Sequence, residues 1–236
     1  RVWQVLMLAA LFLAADLWFY HRSIQYIGPG LSTLVANFQV FFMAAAGVVL
    51  LRQPPTARQL AAIPLALLGL ALIVGVDWNA LAPEYRRGIV FGLGAAVTYA
   101  GYLLCMRHSR RAPTNRVPSR EIAAVSLAGA ALLGVGALAE GETLAIARGG
   151  DAFWLICYGV LSHGFGMLFI TSSLPHVTTT QAGLALLLQP TLSFVWDVAF
   201  FARPMTLMEL CGALLALFAI YLGSRTRSEQ AQGARE

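Results

Sequence analysis

Residues 19–42 read FYHRSIQYIGPGLSTLVANFQVFF, and after nine further apolar or small residues 52–75 continue as RQPPTARQLAAIPLALLGLALIVG. Apolar runs of roughly 20 residues, cut by Gly28-Pro29-Gly30 and by Pro54-Pro55-Thr56, have the length that an α-helix needs to cross about 30 Å of hydrocarbon. A transmembrane barrel needs segments of about 10 residues with alternating polarity, and the stretch has none. Helices also satisfy every backbone polar group within the segment, which lipid demands.

The rest of the chain extends the pattern. It has 236 residues, of which 58% are hydrophobic and 11% charged, and its mean hydropathy is +0.71. A soluble domain carries about 25% charged residues, so most of this surface must meet lipid. The periodicity predicts spans near 3–22, 30–51, 58–76, 88–106, 121–139, 153–173, 181–201 and 206–223. The first run is full length, carries Asp16 and lacks a following cleavage pattern, so it reads as a span and not a signal peptide. Cys105, Cys157 and Cys211 fall singly inside apolar runs and read as small apolar residues, with no disulfide framework and no metal site expected.

All sixteen basic residues are arginines. Counted on alternate sides, Arg1, Arg52, Arg58, Arg107, Arg110, Arg111, Arg116, Arg120, Arg225, Arg227 and Arg235 share one side. Arg22, Arg86, Arg87, Arg148 and Arg203 share the other, together with Asp77, Glu84, Glu140, Glu142 and Asp151. That bias predicts a multi-pass protein of the cell membrane with both chain ends in the cytoplasm. The Arg107–Arg120 loop lacks interleaved aromatics, so no nucleic-acid partner is expected, and anionic lipid heads are its natural neighbours.

Displacing the chain against itself by 150 residues aligns Phe19 with Phe169, Ser23 with Ser173, Leu34 with Leu184 and Gln39 with Gln189. Pro54 then meets Pro204, Thr56 meets Thr206, Leu60 meets Leu210 and Leu67 meets Leu217. The displacement equals five spans, an odd number, so the copies have opposite orientation in the membrane. Inverted repeats of this kind recur in secondary transporters. The predicted fold is an all-α multi-span bundle of two inverted repeats. A first repeat over 1–76 is short of its first two helices, since the fourth and fifth spans lack partners. An external linker follows over 77–87, then a second repeat over 88–224 and a polar tail over 225–236. Eight spans are present where ten are expected.

These stretches, with LPHVTTTQAGLALLLQPTLSFVW at 174–196 and ARPMTLMELCGALLALFAIYLGS at 202–224, resemble the EamA-type branch of the drug/metabolite transporter superfamily. The resemblance implies ten helices in two inverted five-helix repeats around a central cavity, and export of a metabolite, amino acid or drug-like solute. Where the family pattern has a Gly-Glu turn, this chain has Arg52-Gln53 and Ala202-Arg203, so that glutamate is absent from both copies.

Ionisable and polar groups inside spans face an interior or a wet cavity, because lipid penalises a central charge by about 2.5–3.5 kcal/mol on insertion scales. Asp16 is the leading cavity candidate, with Phe19 among the aromatics after it. Its other reading is a helix–helix hydrogen bond. His163 either faces the cavity or bonds a neighbouring helix. Asn37 shares a face with Thr33, and Gln39 lies on the other face with Ser32. The sequence leaves open which face is lined. Gln181, Gln189, Ser193 and Trp196 form a stripe, with Pro190 predicted to kink the helix and free the Leu186 carbonyl. Tyr99 and Tyr102 add aromatic surface. Asp197, Arg203 and Glu209 are expected to form a local salt bridge or gate. Gly88, Gly92, Gly94, Gly164 and Gly166 are expected to admit close helix approach, and Trp3, Trp78 and Trp154 to anchor the interface.

No HExxH, GxSxG, paired-carboxylate or P-loop pattern is present. No enzymatic activity and no cofactor are therefore expected. The competing readings are a membrane scaffold and, further off, a membrane-embedded enzyme. The expected partners are lipid and a small-molecule substrate, with monomer and homodimer both open.

Overall fold

The computed structural model describes residues 2–74, 83–111, 117–145, 149–201 and 206–224, apart from some side chains within those ranges. All regular structure among them is helical. The helices are α1 (Val2–Ala36), α2 (Gln39–Val49), α3 (Ala57–Val74), α4 (Pro83–Arg111), α5 (Pro118–Ala139), α6 (Gly149–Tyr158), α7 (Met167–Ser173), α8 (Thr179–Leu186), α9 (Leu188–Phe201) and α10 (Leu207–Ser224). A π-helical segment, Gly159–Gly166, joins α6 to α7, and a short 3₁₀ turn, Leu174–His176, follows α7. Four stretches are long and apolar enough to cross a membrane, namely Val2–Val49, Glu84–Arg110, Pro118–Ala139 and Gly149–His176. Ala57–Ile73 and Leu207–Gly223 are shorter apolar helices.

Val2–Val49 covers 48 residues, about 72 Å if straight at 1.5 Å per residue, more than twice the hydrocarbon thickness. It folds back at Gly28, whose φ of 75° and ψ of 165° lie in a region essentially restricted to glycine. Ser23 Oγ donates to Ser32 Oγ at 3.0 Å, and the Tyr20 and Thr33 hydroxyls meet at 2.7 Å. Residues nine apart in a straight helix would stand about 13 Å apart. The predicted Gly28-Pro29-Gly30 turn is thus a helical hairpin, stapled by hydroxyls on its inner faces.

Contacts divide the chain into two units. One comprises Arg1–Trp18 with Gly101–Val177, the other Phe19–Ala100 with Thr178–Glu236. Both α1 and α4 run from one into the other.

In the second unit, α3 lies against α10 through small residues. Ala62, Ala66, Ala216 and Ala219 are fully buried, and a Cβ on Gly69 would lie 2.6 Å from both the Ala216 nitrogen and the Gly212 carbonyl oxygen. Lipid gives no hydrophobic drive to helix pairing, so close backbone approach and dispersion supply the attraction. Leu34, Val40, Ile63, Leu67, Leu70, Leu184, Leu187 and Ile220 complete this core. The glycines of α4 also work as expected here. Gly88 meets Tyr26 and Ile27, Gly92 meets Val35 and Ser23, and Gly94 lies under the Phe19 ring. Gly164 and Gly166 do not: among the described residues no other helix approaches within 4 Å of a Cβ built on either, and both lie in the π-helical segment.

Two features recur at the displacement of 150. Thr56 and Gln59 form a reciprocal capping box at the start of α3, and Thr206 and Glu209 form its counterpart at α10. The helical path breaks at Asn37-Phe38 and again at Leu187. At both breaks the bonds tighten to three-residue spacing, as in Phe38 N–H to Val35 O at 3.0 Å and Leu187 N–H to Leu184 O at 3.1 Å.

Candidate functional site

Within the first unit the polar groups gather around Tyr102, which α4 buries to 1% exposure. Its neighbour Gly101 leaves room for the Phe12 ring of α1, 2.9 Å from where a Cβ would stand. Asp16 lies one turn beyond Phe12 on the same face of α1. Its carboxyl is half-buried. From α7, Thr171 hydrogen-bonds to Tyr102, and the Tyr102 hydroxyl also points to Met167 Sδ at 3.7 Å. Asp16 itself makes no hydrogen bond or ion pair among the described residues. Among the described residues, the helix–helix hydrogen bond of its other reading is not formed.

His163 takes the neighbouring-helix reading. Its Nε2 lies 2.9 Å from Ser126 Oγ on α5. The π-helical segment sets its direction, because an i→i+5 repeat turns side chains away from the α-helical register. Trp18 Nε1 donates to Glu140 Oε1 at 3.1 Å in the same unit.

In the second unit Asn37 and Gln39 are both buried, at 6% and 4% exposure. Asn37 Nδ2 donates to the Thr33 carbonyl at 2.7 Å, so this side chain seals the helix break. Gln39 Oε1 has no hydrogen-bond partner among the described residues, an unusual state for a buried acceptor. Gln189, its match at the displacement of 150, is exposed. Phe19 packs between Gly94 and Phe91, its ring 6.2 Å from the latter, and Tyr99 is half-buried.

The expected stripe from Gln181 to Trp196 is interrupted. Gln181 closes a capping box with Thr178 at the start of α8, and the break at Leu187 resets the register before Gln189. Pro190, which has no N–H, sits three residues past that break, as its chemistry requires. Glu209 accepts from the Thr206 N–H at 2.8 Å and so serves a helix cap. Ser193, Trp196, Asp197 and Arg203 lie outside the residues whose side chains are described.

Sequence reasoning passed over three participants. Thr171 and Ser126 are single small hydroxyls in apolar spans, and nothing in their spacing marks them. Glu121 stands in a loop-proximal arginine cluster that membrane orientation already explained. It is nonetheless buried to 3% exposure, with Arg110 Nη1 at 4.0 Å from its Oε2.

No curated protein matches the sequence. One solved crystal structure, described only as that of a protein, superposes with a TM-score of 0.80 at 18% identity over 94% of this chain and 76% of its own. That likeness concerns the fold. The model of the EamA-like transporter family matches residues 1–75 and 86–225, nearly the whole chain. With its apolar helices, the chain is an all-α, multi-pass membrane protein that belongs to the EamA-like transporter family of the drug/metabolite transporter superfamily.

Proposed function

We propose that this protein is a secondary transporter that exports a small metabolite, amino acid or drug-like solute by alternating access. The observation that carries the reading is the pair of helix breaks at Asn37-Phe38 and Leu187, 150 residues apart. Discontinuous helices are where secondary transporters hold solute, since unwound backbone is tolerated at membrane depth only where it is buried or lines a cavity. The capping boxes at Thr56 and Thr206, recurring at the same displacement, support two copies of one helical unit. The odd number of spans between them makes those copies inverted. Binding in one copy and release in the other then need only a rocking of matched halves about a midplane site.

The arginine distribution supports residence in the cell membrane with cytoplasmic chain ends, and so outward movement of cytosolic solutes. The experiment is a metabolite and drug panel in cells overexpressing the protein, measured against an empty vector. At least one solute should leave several-fold faster with the protein present. Efflux indistinguishable from the vector for every solute, with the protein verified in the membrane, overturns the reading.

A further inference from the structure

In a carrier made of two inverted copies, turnover exchanges the conformations of the copies. Each residue then takes the surroundings of its counterpart 150 positions along the chain. A contact whose counterpart is also made survives the exchange. A contact whose counterpart is missing is made in one state and broken in the other. The packing of the second unit contains both kinds.

The crossing of α3 and α10 is matched. A Cβ on Gly223 would lie 3.1 Å from the Ala62 Cβ, and the counterpart contact is made as well, with a Cβ on Gly212 3.0 Å from the Ile73 nitrogen. Gly69 meets Ala216, and their counterparts Ala219 and Ala66 are both fully buried. The crossing of α2 and α8 is not matched. A Cβ on Gly47 would touch Thr179 Oγ1 and lie 3.7 Å from Thr179 Cβ, and Thr179 is fully buried. Pro29, the counterpart of Thr179, is exposed, and among the described residues nothing lies within 4 Å of a Cβ built on the adjacent Gly28. Farther along, Val40 is fully buried under Gly183 and Gln39 is buried, whereas their counterparts Pro190 and Gln189 are half-buried and exposed.

The chemistry of the unmatched contact suits parting. Gly47 has no side chain to interlock. Thr179 Oγ1 has no hydrogen-bond partner among the described residues, and neither has the buried Oε1 of Gln53, whose carbonyl lies 3.2 Å from the same Cβ position. Opening would let water satisfy both groups, so these two side chains have no hydrogen bond to lose when the helices separate.

We propose that the contact of α2 with α8 at Gly47 and Thr179 is a gate, closed in this structure, and that the α3–α10 crossing is the fulcrum common to both states. This rests on the carrier reading above and names the part that moves. On the orientation proposed with that reading, the gate closes the cytoplasmic side.

The test uses the full chain with Cys105, Cys157 and Cys211 replaced by serine or alanine. Thr179→Cys and Ala62→Cys place single thiols at two fully buried positions, one in the gate and one in the fulcrum. In permeabilised cells a membrane-impermeant maleimide should label position 179 at least tenfold faster than position 62. A rate at 179 no greater than at 62 overturns the gate, whatever is transported. The second arm pairs Gly47→Cys with Thr179→Cys, because their 3.7 Å separation falls within the Cβ spacing of a disulfide, about 3.5–4.5 Å. That disulfide should lower efflux of every transported member of the metabolite and drug panel tenfold or more, and reduction should restore it. Ala62→Cys with Gly223→Cys, oxidised in the same way, should keep efflux within twofold of its reduced form. Failure of the gate pair to cross-link, efflux undiminished by its disulfide, or equal loss with both disulfides overturns the gate and leaves the carrier reading standing. No efflux of any panel solute by the parent protein overturns the carrier reading itself.

Discussion

Arg52 takes a backbone φ of 52°, the only positive value among the described non-glycine residues. Left-handed backbone brings Cβ against the following carbonyl and costs an ordinary residue roughly 1–2 kcal/mol. Arg52 stands where the EamA pattern places glycine, just after α2, in a turn closed by the Gln53 N–H donating to the Gly47 carbonyl at 2.7 Å. Arg52→Gly should therefore relieve strain, offset by the larger freedom glycine brings to the unfolded chain, about 0.5–1 kcal/mol. The expected net effect is a gain of about 0.5–1 kcal/mol, read as a higher melting temperature in detergent. An unchanged or lower value refutes the strain argument. Gln53 shows the reverse case. It replaces the family's glutamate, and its buried Oε1 has no hydrogen-bond partner among the described residues, for which the structure offers no compensation.

Helices were legible from composition because lipid allows few structures. The predicted span at 58–76 corresponds to α3 at Ala57–Val74, and that at 121–139 to α5 at Pro118–Ala139. Turn chemistry was equally legible: a glycine beside a proline forced the hairpin at Gly28. The Leu187 break was half visible through Pro190, whereas the matching break at Asn37 has no proline and rests on a side-chain amide that bonds its own helix. The π-helical segment was invisible, since an apolar run carries no local mark that separates an i→i+5 from an i→i+4 repeat. The functional groups were located only in part, because their partners stand on other helices. Asp16 announced itself by its charge, but whether it was partnered depended on α4 and α7. The packing of α3 on α10 makes a direct prediction at this scale. At Gly69 the neighbouring atoms are backbone and cannot rotate aside, so Gly69→Leu must push the helices apart. Overpacking of this kind costs about 1–3 kcal/mol, with greater loss where backbone must move. Gly136→Leu, on α5 with nothing within 4 Å of its Cβ position, should leave stability within ~0.5 kcal/mol of the parent. Denaturant titration of the two variants checks the contrast, and equal effects would reject it.

At the scale of the whole molecule, inverted repeats make a claim about sides of the membrane that differs from ordinary duplication. A duplication in parallel puts matching residues on the same face; a displacement by five spans puts them on opposite faces. Ala57 and Leu207 are a suitable pair. They are 150 residues apart, both exposed, and each is the first residue of a helix whose start one of the matching capping boxes closes. Neither supplies a cap hydrogen bond through its side chain, so substitution should disturb little. With Cys105, Cys157 and Cys211 replaced by serine or alanine, Ala57→Cys and Leu207→Cys are each exposed to a membrane-impermeant maleimide. The orientation proposed above would put Ala57 at the cytoplasmic surface, beside Arg52 and Arg58, and Leu207 outside. Position 207 should therefore label in intact cells and position 57 only after permeabilisation. Reversed labelling would retain the inversion but turn the protein over, placing the chain ends outside. Labelling of both positions from one side would leave the two copies parallel, and matched halves could then no longer exchange one site between the two faces of the membrane.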